Sequence, residues 1–583
     1  MIRNRNVGRS FRARALRTVA FGSTAAIGTV TIAGGASAAV LFLTLLSNTM
    51  GVNGSLISWL KPIATAVGFS TVVASRPVVP VPSVVKVTQP APKPAGGGVS
   101  DTSGKPALKL GANLDIPTYY GGARVFSNLI LQSPWWLQTT GAWGDPSPDR
   151  LDRNQNLTRL EANETAYRVV SPPTQALLGK SVDVVCRWTG KATVRLSGPT
   201  VRNAKVGANS ATFTFLPQGG QSAQFAINDL DKGNPIRDID CRETDADPKA
   251  VFDPVFLDNV RKYDTLRFVK WQQAVESNKA VTWAGRTLPT ANSYFSLDDG
   301  VPIERMVLLA NLTRTNPWFC IPWNADAEYV RKFAEYVRDN LDPGLVAYVE
   351  LSNEVWNWGY RVTAQARDEG KAAGLAADDG TALLYRYAQR TGEVMDVWTS
   401  VFANNPKRIV RVLATQNAVP WAAKTALSFK DTATKVDALA TAPYFDWHFA
   451  TTGAQPPADF FSKVLVDQMD MRLANAAENK TLATAKGLRF ITYEAGQHVT
   501  IAGSADVPML SQIQRDPRMG DLYTRYLMKW KDGFGDLMVL FSAWGPISQF
   551  GAWGMQEYLG QPLSEAPKAR AVELFRQSYV TKN

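Results

Sequence analysis

The chain has only three Cys and two His among its 583 residues. Such scarcity excludes a protein held together by a disulfide framework and leaves little material for a histidine-rich metal centre. A second deficit is local. Residues 1–100 contain no Asp or Glu, against ten basic side chains: Arg3, Arg5, Arg9, Arg12, Arg14, Arg17, Lys61, Arg76, Lys86 and Lys93. The other 483 residues carry 53 basic and 51 acidic groups, so most of the formal charge of +12 belongs to that first stretch. A basic nucleic-acid-binding face is therefore not the main activity. With 45% hydrophobic and 20% charged residues the chain is not largely disordered, and its length calls for more than one folded unit.

No charge occurs between Arg17 and Lys61, and Thr18 to Leu46 is rich in Ala, Val, Ile, Leu and Phe. That exceeds the roughly 20 apolar residues a membrane span needs. Ala36-Ser37-Ala38 fits a signal-peptidase site, but the apolar run continues past it, which favours a retained anchor. Either way the arginines stay cytoplasmic and the rest is exported, anchored at the inner membrane or secreted after cleavage near Ala38. Residues 1–47 are thus read as basic tail and anchor. Residues 48–104, with Pro77, Pro80, Pro82, Pro90, Pro92, Pro94 and Gly96-Gly97-Gly98, read as a solvated spacer.

Downstream, short apolar runs alternate with amphipathic stretches. The runs are Leu108–Asp115, Thr265–Gln272, Pro317–Trp323, Leu345–Glu354, Lys407–Gln416, Val436–Phe445, Leu488–Gly496 and Asp536–Gly545. Ala325–Leu341, Leu383–Phe402 and Phe460–Ala485 carry helical periodicity. Continuous apolar strands separated by helices imply a parallel sheet covered on both faces, and eight such units predict a (β/α)8 (TIM) barrel. A doubly wound sheet is the alternative, but no glycine-rich phosphate loop follows the first strand. About 150 residues separate strands one and two, too many for a βα connection. Thr165–Arg242 within this gap shows short alternating strands (Ser181–Trp188, Ala192–Leu196, Ala211–Leu216, Ala223–Ile227). The reading is an inserted antiparallel β-sandwich at 161–245, with 105–160 as first strand and loop and 246–583 as the rest of the barrel. A loop at that end overhangs the site of a barrel. Cys186 and Cys241 fall in the insertion, so export permits a disulfide there; two buried thiols are the alternative. Asp229–Asn234 has no Gly at the sixth or Glu at the twelfth position of a calcium loop and reads as a turn.

Two strands end in a carboxylate. The fourth closes Tyr348-Val349-Glu350-Leu351-Ser352-Asn353-Glu354-Val355-Trp356-Asn357, and the seventh Phe490-Ile491-Thr492-Tyr493-Glu494-Ala495-Gly496-Gln497-His498. A glutamate closing an apolar strand is costly to bury unless it is paired or used. Two of them across a barrel mouth are the apparatus of glycoside hydrolysis. Glu350 reads as structural, paired with Arg267.

On Ser352-Asn353-Glu354 and Tyr493-Glu494, the chain resembles the retaining glycoside hydrolases of the large (β/α)8-barrel clan. More narrowly, Arg267-Phe268-Val269-Lys270-Trp271 and the two strand ends resemble exported bacterial proteins described as cellulose-binding or cellulase-like. The resemblance implies Glu354 as acid/base and Glu494 as nucleophile. It also implies Asn353 on the sugar 2-hydroxyl, Arg267 beside the nucleophile, Tyr444 donating to Glu494, and Trp544 at the end of strand eight under the sugar. Ala442 departs from the clan, where His often stands two residues before that tyrosine; His448 or His498 is the candidate replacement. Trp356 is the further candidate for an apolar sugar contact. No cofactor and no metal are required. Polysaccharide is the expected substrate and the membrane the other expected partner. A non-catalytic carbohydrate-binding protein on a barrel scaffold and a transglycosylase are the competing functions.

Overall fold

The computed structural model describes residues 108–171, 180–218, 221–274, 279–295 and 300–580. The expected anchor and spacer lie outside them; among the described residues no helix is long and apolar enough to cross a membrane.

Eight parallel strands follow one another around a single sheet in chain order: Lys109–Asn113, Thr265–Arg267, Asn316–Ile321, Ala347–Leu351, Ile409–Ala414, Ala438–Thr441, Arg489–Thr492 and Leu537–Leu540. Each lies within or overlaps an apolar run read from the sequence. Strand one pairs with both strand two and strand eight. Between strands seven and eight the ring is joined differently. The Val539 N–H donates to Thr492 Oγ1 at 2.8 Å and the Phe541 N–H to the Ala495 carbonyl at 3.0 Å. This nearly closed parallel barrel with helices between its strands fits the TIM architecture. Every residue of strands four and eight is buried, which is why these segments read as continuous apolar runs.

The covering helices show the complementary logic. Ala327–Asn340 starts at Asp326, whose carboxylate accepts the Tyr329 N–H, and buries Tyr329, Val330, Phe333, Ala334 and Val337 on one stripe. Phe333 then packs edge-on against Phe319 of strand three at 4.9 Å between centroids.

Between strands one and two, two antiparallel sheets share a second hydrophobic cluster. One has five strands: Ala142–Gly144, Trp136–Thr139, Thr165–Val169, Gln224–Leu230 and Ala192–Ser197 in spatial order. The other has four: Arg237–Glu243, Val182–Thr189, Ser210–Phe215 and Val201–Val206. Val184, Cys186 and Trp188 alternate inward on one strand and meet Leu137, Ala166, Phe225 and Ile227 of the facing sheet. Cys186 and Cys241 are register partners on adjacent strands and form a disulfide. The Trp136–Gly144 hairpin joins the five-stranded sheet although it precedes residue 161.

After strands six and seven the chain continues as a parallel ribbon, Phe445–Phe449 beside Gln497–Ile501. Gly496 turns strand seven into it with φ +133°, and a Cβ there would lie 2.7 Å from the Tyr523 hydroxyl.

Candidate active site

Arg267 is the last residue of strand two and is fully buried. All five of its N–H groups have partners. Nε and Nη2 grip Glu350 at 2.9 and 3.0 Å, Nη1 donates to Glu494 at 2.9 Å and Asn113 Oδ1 at 3.0 Å, and Nη2 reaches Asn353 Oδ1 at 2.7 Å. The cation thereby gathers the ends of strands one, two, four and seven. Glu350 is also held by the Trp318 indole N–H at 2.8 Å. Its expected pairing with Arg267 is present.

Glu494 accepts a second hydrogen bond, from the Tyr444 hydroxyl at 2.9 Å. Glu354 has a different setting. Tyr493 Oη donates to Glu354 Oε1 at 2.8 Å and Asn357 Nδ2 to Oε2 at 2.8 Å. One glutamate thus faces a cation and a phenol, the other only neutral donors. Glu354 also sits in left-handed backbone at φ +43°, and Ser352 at +57°. For a residue with a side chain that conformation costs on the order of 1 kcal/mol and is kept where the surroundings require it.

Burial raises the Glu494 carboxyl to about 7. Arg267 and the Tyr444 hydroxyl pull the other way, while the nearby Glu354 charge pushes further up. Arg267 alone would favour the ionised form of Glu494. Desolvation outweighs it because Arg267 is bound through two of its N–H groups to Glu350 and is shared. Both tyrosine hydroxyls, raised well above their usual range by burial first and by Glu494 or Glu354 next, stay protonated donors.

His498 lies beside this cluster, with its ring 5.6 Å from that of Tyr444. Trp553 Nε1–H donates to His498 Nδ1 at 3.1 Å. Burial lowers the imidazole's affinity for a proton, so His498 is neutral with its hydrogen on Nε2. His448 bonds instead to Thr500 on the ribbon, Nδ1 to Oγ1 at 2.9 Å.

Arg267, Asn353, Glu354, Tyr444, Glu494 and His498 are therefore brought together. Trp356 is 8% exposed and packs behind Tyr493, with centroids 6.2 Å apart. Trp544 was expected at the end of strand eight, under the sugar. Strand eight ends at Leu540, and Trp544 is 3% exposed with its ring edge-on to Phe256 in the core. Sequence reasoning assigned no role to Asn113, the Tyr493 hydroxyl or Asn357. Asn113 carried a usable signal, being a polar residue closing an apolar strand. Among the described residues no group of three or more His, Cys, Asp or Glu is placed to hold a metal ion.

No protein-family model and no curated protein matches the chain. Several solved structures are similar over about half of it. A GH51 arabinofuranosidase from Xanthomonas axonopodis pv. citri is 12% identical over 56% of this chain, with a TM-score of 0.34; the match spans 66% of that protein. A GH5-4 broad specificity endoglucanase from Clostridium acetobutylicum is 11% identical over 57% of this chain and 92% of its own, TM-score 0.31. A Thermotoga maritima beta-glucosidase is 10% identical over 56% of this chain and 86% of its own, TM-score 0.32.

Proposed function

We propose that the protein is a retaining glycoside hydrolase that cleaves β-glycosidic bonds in a polysaccharide. The observation that carries this reading is the asymmetry of the two glutamates. Glu494 receives the Arg267 cation and the Tyr444 hydroxyl, whereas Glu354 receives only the Tyr493 hydroxyl and the Asn357 amide. Glu494, although raised to about 7 by burial, is the carboxyl that the Arg267 cation holds as an anion above that pH, and it takes the nucleophile's role while Glu354 takes that of acid/base.

In the first step Glu354 gives its proton to the glycosidic oxygen. The bond from that oxygen to the anomeric carbon breaks, and a Glu494 oxygen bonds to the carbon from the opposite face. In the second, Glu354 takes a proton from water, which attacks the same carbon and releases Glu494. Arg267 binds Asn353 Oδ1, which leaves the Nδ2 amide as the group available to a sugar hydroxyl. The neutral His498 offers its Nε2–H on the Tyr444 side of the cleft. The basic, apolar amino-terminal stretch and the Cys186–Cys241 pair support action outside the cytoplasm, at the membrane.

Proton NMR of the first product formed from a β-linked oligosaccharide tests the proposal. A β-anomer that mutarotates afterwards is expected; an initial α-anomer would refute retention, and absence of cleavage across glucans, xylans and mannans would refute hydrolysis.

A further inference from the structure

The outer face of the five-stranded sheet carries an aromatic tract that the catalytic reading does not use. Trp136 is paired with Tyr167, and Gln138 with both Trp143 and Thr165, so these side chains share one face. Leu137 and Ala166 point the other way, into the sandwich core. Trp143 lies 5.0 Å from Tyr167 between centroids, and Trp136 lies 5.1 Å from Tyr119, which lies 4.9 Å from Tyr120. Two ring contacts, Trp143–Tyr167 and Trp136–Tyr119–Tyr120, are thus set side by side by the pairing of Trp136 with Tyr167.

The two ends of the tract are open: Trp143 is 56% and Tyr120 61% exposed. Large rings left in water on an otherwise paired sheet call for an occupant. Between Trp136 and Trp143 the polar groups are amides and hydroxyls; at the other end the Asp115 carboxylate acts on Tyr120. Gln138 Oε1 accepts from Tyr167 Oη at 2.9 Å, and the charged Arg195 reaches the same hydroxyl at 3.5 Å. Among the described residues, none of the register partners on these three strands is a carboxylate. Flat apolar rings alternating with neutral hydrogen-bonding groups match the C–H faces and hydroxyl edges of uncharged pyranose units.

Position supplies the second argument. Tyr119 and Tyr120 follow strand one at the end where Asn113 accepts from Arg267. The sheet is fixed there: the neighbouring Arg168, fully buried, donates from Nη2 to the Asn292 carbonyl at 2.7 Å and from Nη1 to its side chain at 3.2 Å. The tract begins at the barrel mouth and runs outward on a rigid support.

We propose that this face, from Tyr120 through Trp136 to Trp143, binds the distal part of a neutral polysaccharide chain whose scissile bond lies between Glu354 and Glu494. The inference rests on the glycosidase reading for its register with the site, but its binding can be read without cleavage. The full chain in detergent, carrying Glu494→Gln, is run through native gels containing soluble neutral glucan, xylan or mannan, or a polyuronate. Retardation by at least one neutral polymer is expected, with affinity falling about tenfold in Trp143→Ala and in Tyr120→Ala. Both side chains are exposed, and unchanged melting temperatures would exclude misfolding. Equal retardation of the aromatic variants, retention by the polyuronate alone, or retention by no polymer overturns the proposal. So does a loss of self-association by light scattering without a change in retardation. Cleavage by the parent protein is scored separately: glycan retention without cleavage leaves this proposal standing and removes the catalytic one.

Discussion

Tyr493 donates its hydroxyl to Glu354 Oε1 at 2.8 Å, across 139 residues of sequence, while its backbone neighbour is Glu494. One strand end thus supplies one glutamate and orients the other. Tyr493→Phe keeps the ring packed on Trp356 and removes only the donor. We expect kcat/KM to fall about 10–100-fold on glycosides with poor leaving groups. A dinitrophenyl glycoside, which needs no proton on departure, should be much less affected. Equal losses on both substrates would contradict an acid role for Glu354.

Glu354→Gln and Glu494→Gln should each lower kcat by about 1,000-fold or more while leaving the melting temperature within a few degrees. Steady-state rates on a cleaved glycan, with calorimetry alongside, decide it. Full turnover in either variant would remove that residue from the mechanism.

Arg267→Lys replaces five fixed donors by three on a flexible stem. Glu350, Asn113, Asn353 and Glu494 cannot all be served, and buried carboxylate is left unpaired. A loss of about 3–5 kcal/mol is expected, read by denaturant unfolding. A neutral result would mean that the cluster contributes nothing to folding.

The raised Glu494 carboxyl fixes the sign of a pH effect. Its folded value, about 7, lies above the ordinary value of 4.5, so folding favours the protonated form. Its contribution to stability is present below pH 4.5 and is lost as pH rises to about 7. His498, lowered by burial from 6.5, acts in the opposite direction, losing stability as pH falls. The difference in melting temperature between the parent and Glu494→Gln isolates the first effect. It should move against the parent between pH 5 and 7 and be flat if Glu494 is an ordinary carboxylate.

The Cys186–Cys241 disulfide closes a separation of 55 residues. Replacing both by Ser should cost about 2–4 kcal/mol, felt in the sandwich. Faster proteolytic cleavage between residues 182 and 243 is the expected signature; unchanged protection would show that the sheets hold without it.

The barrel was legible because parallel strands buried on both faces must be apolar throughout, as in Leu537–Leu540. The sandwich was legible only in part. Val201–Val206 is exposed along nearly its whole length, and Arg237–Glu243 carries Arg and Asp on its open side. Neither has an apolar pattern to read. At the candidate site, Arg267 ends strand two, and Asn353, Glu354 and Glu494 follow closely on strands four and seven, so the apolar runs pointed to their positions. Trp544 was less legible because it lies four residues past the last residue of strand eight, where loop packing against Phe256 sets direction. Trp553, which engages His498, lies further along that same loop.

The grip of Arg267 on Glu350 gives the proposed cycle a constant electrical load. One positive and one negative charge cancel, leaving the Glu354–Glu494 pair with a single negative charge. When Glu494 becomes an ester it loses that charge in the same step in which Glu354, having given up its proton, acquires it. Hydrolysis reverses the exchange. The buried cation therefore never confronts a change in the number of charges around it, only in which carboxyl bears one. The site can therefore pass through both halves of the reaction without importing a counterion.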